Sequence, residues 1–537
     1  MKKLIALLIV LSLCLSSCAF VEDLFMGDTD GNTILDNWPP QIGGKGDDDS
    51  DDSGNGTGTG SGNKNENFVD NGDTGCATDK HTDMDNNGSC DYCSVSVIVV
   101  VDILAVNDLH GKVTSSSTQP GLGGLTTYLK NEADEGAILI SSGDMWQGTA
   151  ESGLTYGAIM TDWMSEVGFV SMTIGNHEYD WSEQYLYTNH EIAEFPFLGI
   201  NVYSTSTGQR ATYATPSVVV ERDGVQIGII GAIGDCYSSI SGDVTGGFTF
   251  KTGSALTALV KAEAERLRAE GVDFIVYSIH DGSDSSTGFS AYYDESLSDG
   301  YVDLVFEAHT HQTYVRKDSY GVYHLQGGGE NKGLSRAEIN INSANGSTSV
   351  TNPKTVNSVT WQYLDTHPIV TELLEKYEAI ISKATEKLGY NKSYRDDSVL
   401  EQIVADLYYQ FGLETWGDQY DVTLGGGFLR TRSPYNLKAG DVYYSDVYSL
   451  FTFNNDIVLC SISGRDLLNK FINSTSSDYY VSAGVNASSI DQNKTYYIVV
   501  DTYTSSYKYN NLTEVARVSG IYARDLLAEY IKAGGLA

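Results

Sequence analysis

Positive charge is scarce in this chain: 33 lysines and arginines face 71 aspartates and glutamates over 537 residues, a formal net charge of −38. Such a field disfavours phosphate backbones and anionic lipid surfaces, since no basic patch outweighs it, so no nucleic-acid duplex is expected as a partner. Long apolar runs are also lacking. Beyond the N-terminus no stretch approaches the ~20 residues of a spanning helix, so no transmembrane segment is expected. Cysteine is sparse, with seven residues, and none falls in the polar clusters that follow. Enough apolar material remains, at 41% hydrophobic residues, for well-formed cores in two or three domains.

Five short clusters stand out: Asn107-Asp108-Leu109-His110, Gly143-Asp144, Gly175-Asn176-His177-Glu178, His280-Asp281-Gly282 and His309-Thr310-His311. Each follows an apolar run, at residues 101–106, 137–140, 169–174, 272–279 and 301–306. Runs of that length suit parallel strands covered on both faces. The polar residues then lie just past the strands' carboxyl ends, where open α/β sheets place their ligand sites. Carboxylate, imidazole and amide oxygen donors point to a binuclear site for divalent zinc, manganese, magnesium or iron. Asp144, alone on its loop, is the candidate bridge. Asp108, His110 and His311 would complete one metal, and Asn176, His280 and His309 the other. His177 is left to stabilise charge on a phosphate or protonate a leaving group, with Asp180 orienting its ring.

The order of these motifs, with Gln147-Gly148-Thr149 extending the second, resembles the calcineurin-like metallophosphoesterases. More narrowly it resembles the bacterial 5′-nucleotidase and UDP-sugar hydrolase family, over roughly residues 98–535. The resemblance implies an α/β fold: a four-layer α/β/β/α metallophosphoesterase sandwich over 96–345, a helix-bearing linker over 346–389, and a C-terminal α+β substrate domain over 390–537. It also implies hydrolysis of nucleotide phosphoesters by in-line attack of a hydroxide generated at two metals. UDP-sugar and 2′,3′-cyclic nucleotide hydrolysis use the same core. A surface binding protein that has lost catalysis is the reading from another class; the complete ligand set and His177 speak against it. A monomer is expected.

In the second half, a helical pattern over 367–388 leads to Tyr394-Arg395-Asp396-Asp397, then Gly425-Gly426-Gly427-Phe428-Leu429-Arg430-Thr431-Arg432, then Phe453-Asn454-Asn455. Family equivalence gives Arg395 and one of Arg430 or Arg432 to the phosphate, since guanidinium forks suit phosphate oxygens. It gives Phe453 one face of an aromatic clamp, Asn454 a polar contact, and the other face to Tyr503, with Tyr507 and Tyr509 as rivals. The chain departs from the family here. Leu424 replaces an asparagine before the glycines, Phe428-Leu429 is inserted before Arg430, and residues 505–511 replace a glycine-rich segment.

The N-terminus carries Lys2, Lys3, an apolar run over 4–15 and Leu15-Ser16-Ser17-Cys18. This is an export signal over 1–17 whose end resembles a lipobox, implying a lipid on Cys18 as the only membrane anchor and an outward-facing enzyme on the cell envelope. Residues 18–75 are an acidic, glycine- and serine-rich spacer. Over 76–95, Cys76, His81, Cys90 and Cys93 surround Asp83-Met84-Asp85-Asn86-Asn87-Gly88. Half a calcium loop, a Cys3His zinc site and a disulfide are all open readings.

Overall fold

The computed structural model describes residues 81–115, 120–240, 242–283, 290, 292–432, 434–474, 478–509 and 511–537. The export signal, Cys18, the spacer and Cys76 lie outside the described residues. Two compact units divide the chain, one ending at Val97 and one running from Ile98 to Ala537. Among the described residues no helix is long and apolar enough to cross a membrane.

In the second unit, β1 (Ile98–Val106), β2 (Ile138–Ser141), β3 (Ser171–Thr173) and β4 (Phe197–Leu198) lie side by side and parallel. A two-stranded ladder joins β5 (Val202–Ser204) to β8 (Phe248–Phe250). A second sheet contains β6 (Ser217–Arg222), β7 (Val225–Ile233), β9 (Phe274–His280), β10 (Leu304–Glu307), β11 (Thr313–Lys317) and β12 (Tyr323–Gly327), in the order β11-β12-β10-β9-β7-β6. The chain then returns to the first sheet with β13 (Gly333–Asn342) and β14 (Thr348–Asn357), giving β14-β13-β1-β2-β3-β4.

Alternation along the strands makes the layers. Ile103, Ala105, Ile138 and Ile140 of the first sheet meet Ile227, Ile229, Val276, Leu304 and Phe306 of the second in one apolar core. The outer face of the second sheet, through Ile230, Ile275, Tyr277 and Val305, receives Leu256, Val260, Ala264 and Leu267 of helix Ser254–Ala269. Helix Leu122–Asp134 covers the other side of the first sheet with Leu122, Leu125 and Leu129 buried. The result is the α/β/β/α sandwich expected.

Two expectations shift. The first domain's sheet runs on to Asn357 as β14, past the expected boundary at residue 345. The helix expected over 367–388 spans Pro368–Ile381, and Leu388 lies on strand β15 (Lys387–Asn391). Ser382 and Thr385 bond backbone carbonyls at 3.4 and 3.0 Å, which competes with the helical ladder and ends it in a tighter turn. That helix is docked: Lys376 Nζ and Tyr377 Oη reach Asp162 Oδ2 at 2.6 and 2.5 Å.

The C-terminal domain pairs β15 with β17 (Gly440–Tyr443) and builds a five-stranded sheet from β16 (Val422–Phe428), β18 (Ile457–Ser463), β19 (Tyr479–Val481), β20 (Thr495–Asp501) and β21 (Thr513–Val518), in the order β19-β16-β20-β18-β21. Gly425–427 closes strand β16; it does not form a turn. Helix Asp397–Trp416, capped by Asp396 accepting from the Val399 amide at 3.0 Å, packs Leu400, Val404 and Tyr408 onto this sheet. Ala150 of the first domain is part of the same core, so the two domains are packed together.

Beneath β10 and β12 sits a buried charged cluster. His324 Nδ1 lies 2.7 Å from Glu307, and its Nε2 lies 3.5 Å from Asp318. Burial opposes ionisation of Asp318, but hydrogen bonds from His324, Ser298 and the Val322 amide outweigh it and bring its pKa down to about 2. A depressed carboxylate pKa stabilises the fold above the unfolded value and loses that contribution as pH falls through the folded one. Urea melts should therefore show Asp318→Asn less stable than wild type by about 2 kcal/mol at about pH 5, the gap closing towards pH 2. A gap that stays constant over that window would refute the linkage.

Candidate metal centre and adjoining cavity

Three of the five clusters leave their strands through strained backbone. Asp108, His110, Asp144, His309 and His311 have φ of 51°, 51°, 55°, 66° and 54°, a left-handed conformation that costs a non-glycine residue of order 1 kcal/mol or more. Hydrogen bonds hold it there. The Asp108 amide donates to Gly143 O at 2.9 Å and the His110 amide to Asp144 O at 3.0 Å. The buried Glu178 carboxylate accepts from the amides of Asp144, Met145, Trp146 and Gly175 at 3.0, 2.8, 3.3 and 2.7 Å. This clamp, which locks the β2 and β3 loops together, is invisible in sequence beyond the bare presence of a glutamate. Gly143 and Gly175 permit it: a Cβ on the first would sit 2.6 Å from His280 Nδ1, and one on the second would run into Asp144 Oδ1.

What converges is a set of proton acceptors. His110 Nδ1 lies 2.9 Å from Gln147 O and His280 Nδ1 lies 2.8 Å from Ser142 O. A carbonyl only accepts, so each Nδ1 carries the proton and each neutral ring has a bare Nε2. His110 Nε2 then faces His311 Nε2 at 2.9 Å, and the latter is 3.5 Å from Asp108 Oδ1. His280 Nε2 faces Asp144 Oδ2 at 3.2 Å and Asn176 Oδ1 at 3.3 Å. His309 stands with its ring centroid 5.3 Å from that of His280, its amide donating to Asp108. The buried Asn176 Nδ2 has no hydrogen-bond partner.

The imidazoles differ in charge preference. Burial, then the positive neighbours His311 and His177, push His110 well below its ordinary pKa. Burial and His280 push His309 down to about 4. Burial also pulls His280 down, but the Asp144 carboxylate more than reverses it, to about 10, so a proton on its Nε2 holds the place beside Asp144 that a metal cation would take. Imidazole nitrogens converging on carboxylates and an amide oxygen are a donor set that divalent cations satisfy once the protons leave, so the residues present fit metal ions.

His177 Nδ1 is 2.6 Å from Asp180 Oδ2, and its Nε2 is 4.0 Å from Asp144 Oδ2. Burial lowers its pKa, but Asp180 and Asp144 outweigh this and raise it. Its ring lies nearly parallel to Phe453, with centroids 5.9 Å apart.

A cavity of about 930 Å³ runs from Asp144, Asn176, His177, Asp180, His309 and His311 to Arg430, Arg432, Phe453, Asn454 and Tyr503. Of the two arginines, Arg432 stands closer to the donor set. It shares a smaller recess with His110, His177 and His311 and lies 5.4 Å from the Phe453 ring. Arg395 is not among the residues lining the cavity; its backbone bridges to Leu437. Tyr503 stacks on Tyr507 at 5.4 Å and leans on Phe428 at 5.8 Å, with Lys508 Nζ 4.5 Å from the Phe428 ring. Tyr509 is buried against Phe471, away from this group. Phe428 and Lys508 carry no signal in sequence; both fall in segments that depart from the family pattern.

The Phe453 loop is held from below. Buried Arg524 donates to the carbonyls of Phe451, Thr452 and Phe453 at 3.3, 3.2 and 2.9 Å and to Asn454 Oδ1. Gln147, from the second metal motif, donates to Thr452 O at 3.1 Å.

No protein-family model matches the chain. Endonuclease YhcR of Bacillus subtilis is 26% identical over 415 residues, 69% of this chain and 32% of that protein. A 5′-nucleotidase of Vibrio cholerae is 28% identical over 224 residues, 39% of this chain and 40% of the relative. The chain thus spans between a third and two fifths of the length of these curated relatives. The crystal structure of a 5′-nucleotidase precursor from Thermus thermophilus superposes with a TM-score of 0.59 at 17% identity, covering 81% of this chain and 96% of that one. The chain therefore shares the two-domain α/β fold of that structure.

Arg524→Met should cost about 3 kcal/mol of stability, because three buried carbonyls lose a charged donor. Urea melts test this, with metal content by elemental analysis expected to be unchanged. A loss below about 1 kcal/mol would show that water replaces the guanidinium and that the loop does not depend on it.

Proposed function

We propose that this chain is an exported, lipid-anchored, dinuclear-metal phosphohydrolase that cleaves nucleotide phosphoesters in the manner of a 5′-nucleotidase. The observation that carries this reading is the single cavity in which the convergent donors and the arginine- and aromatic-bearing loops of the C-terminal domain face each other. Asp108, His110, Asp144, Asn176, His280, His309 and His311 would hold two divalent ions, which polarise phosphoryl oxygens and lower the pKa of a water.

The remaining chemistry belongs to the chain. Asp180 fixes the proton of His177 on Nδ1 in the neutral ring, and when His177 is charged its Nε2–H is aimed beside Asp144. That proton can neutralise charge growing on a phosphoryl oxygen or pass to the leaving group. Arg432 supplies a planar donor fork at the same end of the cavity, suited to phosphate. Phe453, Tyr503, Phe428 and Tyr507 offer apolar faces for a base, and the Phe453 ring shields the His177 imidazole from water on one side. The match to an endonuclease over 69% of the chain favours a second reading, cleavage of phosphodiesters in nucleic acid, which the net charge of −38 opposes.

Phosphate release by the protein lacking residues 1–17, with manganese, zinc or magnesium, tests the assignment. The panel holds AMP, ATP, UDP-glucose, a 2′,3′-cyclic nucleotide, a single-stranded oligonucleotide and bis-p-nitrophenyl phosphate, with a coupled phosphatase where the product is a monoester. Turnover of AMP or another mononucleotide is expected. Turnover of the oligonucleotide alone would transfer the assignment to a nuclease, and of the aryl diester alone would remove the nucleotide. His177→Ala should lower kcat by roughly 10²–10⁴ with bound metal unchanged; loss of metal would mark His177 as a ligand. Phe453→Ala should raise KM for nucleotides and spare the aryl diester, whereas equal loss on both would make Phe453 a support of the fold.

A further inference from the structure

The first unit carries a second cluster of metal-ligand side chains, upstream of the phosphoesterase motifs and sharing no residue with them. The donor atoms of His81, Cys90 and Cys93 lie within 4.8 Å of one another, and Cys93 Sγ is 3.5 Å from His81 Nδ1. Tetrahedral zinc with bonds of about 2.3 Å to sulfur and about 2.0 Å to nitrogen sets those two atoms about 3.5 Å apart.

The backbone around the cysteines has the shape such a site needs. The Cys90 amide donates to Val95 O and the Ser94 amide to Cys90 O, both at 2.8 Å, with Ser94 at a φ of 58°. Ser89 and Ser96 bridge across this turn. Both sulfurs are thereby turned to one side of a tight reversal, and the Asp91 amide bonds Thr82 O at 2.8 Å to bring His81 alongside.

The aspartates that suggested calcium accept from amides of their own loop. Asp83 accepts from the Asn87 and Gly88 amides, each at 3.0 Å. Asp85 accepts from the Asn87 amide at 3.2 Å and its side chain at 2.8 Å, and Asp91 accepts from the Met84 amide at 2.7 Å. These carboxylates shape the loop through amide donors, while the soft donors converge elsewhere.

We propose that His81, Cys90 and Cys93 bind one zinc ion that staples residues 81–97, leaving the fourth position to a donor beyond these three. Binding releases the thiol protons, and the ion supplies a short segment with the crosslink that its few apolar side chains do not. The inference does not rest on the phosphoesterase reading.

The test uses the full chain, purified under reducing conditions without chelator, with zinc as the probe. Wild type should carry one zinc per chain more than Cys93→Ser and one more than His81→Ala, with phosphatase activity equal in all three. Cobalt substitution should give a sulfur-to-metal charge-transfer band that Cys93→Ser loses and Cys236→Ala keeps. Should the variants fold poorly, titrating native wild type with a mercurial should release one zinc per chain as Cys90 and Cys93 are blocked. Equal zinc in wild type and both variants would overturn the proposal. So would a Cys90–Cys93 disulfide in unreduced protein, or protection of these thiols by calcium and not by zinc.

Discussion

Electron pairs held against electron pairs are the constraint on which the rest of this molecule depends. Two imidazole nitrogens stand 2.9 Å apart, and a third faces a carboxylate and an amide oxygen at 3.2 and 3.3 Å. Such an arrangement repels itself in a low-dielectric interior unless protons or metal cations compensate it. Left to propensity, none of these residues would sit so close. The protein holds them by strained backbone, with five ligand positions in the left-handed region, and by the Glu178 carboxylate binding four amides of two loops. The two sheets do the coarse positioning: β1, β2 and β3 in one and β9 and β10 in the other end at a common edge.

The same logic extends to the second domain. Thr452 O receives both Gln147 of a metal loop and Arg524 of the C-terminal helix Ala523–Lys532. One carbonyl thus registers the aromatic loop against the metal loop and against its own domain. Gly153 fits the same interface, since a side chain there would collide with Tyr448. Packing alone could slide; a buried guanidinium bonded to three successive carbonyls fixes the loop's depth.

What is legible in sequence follows from this division. The metal end depends on residue types at strand ends, and both the apolar runs and the clusters after them are local patterns, so the sandwich and its donors can be read directly. Glu178 cannot, because a carboxylate that binds only backbone has no sequence partner. Arg524 cannot, because its acceptors are carbonyls some 70 residues earlier. The register between Arg430 and Arg432 needs three dimensions: an insertion leaves the sequence ambiguous, whereas the recess beside His110 and His311 contains Arg432. The helix expected over 367–388 is too long because hydroxyl side chains that end a helix leave the hydrophobic period intact.

The stacking of Phe453 on His177 couples the two halves of the site. One ring belongs to the loop fixed by Arg524, the other to the loop fixed by Glu178, and they come from different domains. A ring that covers an imidazole lowers the local dielectric and strengthens the Asp180 contact that keeps the proton on Nδ1. Any shift of the C-terminal domain relative to the sandwich must therefore change the aromatic side of the cavity and His177 shielding together. On the proposed function, substrate fit and proton placement are then one geometric variable, set by the polar clamps at Glu178 and Arg524. On the proposed function, specificity can drift through the Phe428, Tyr503 and Lys508 surface without disturbing the donors, since among the described residues that group packs on itself.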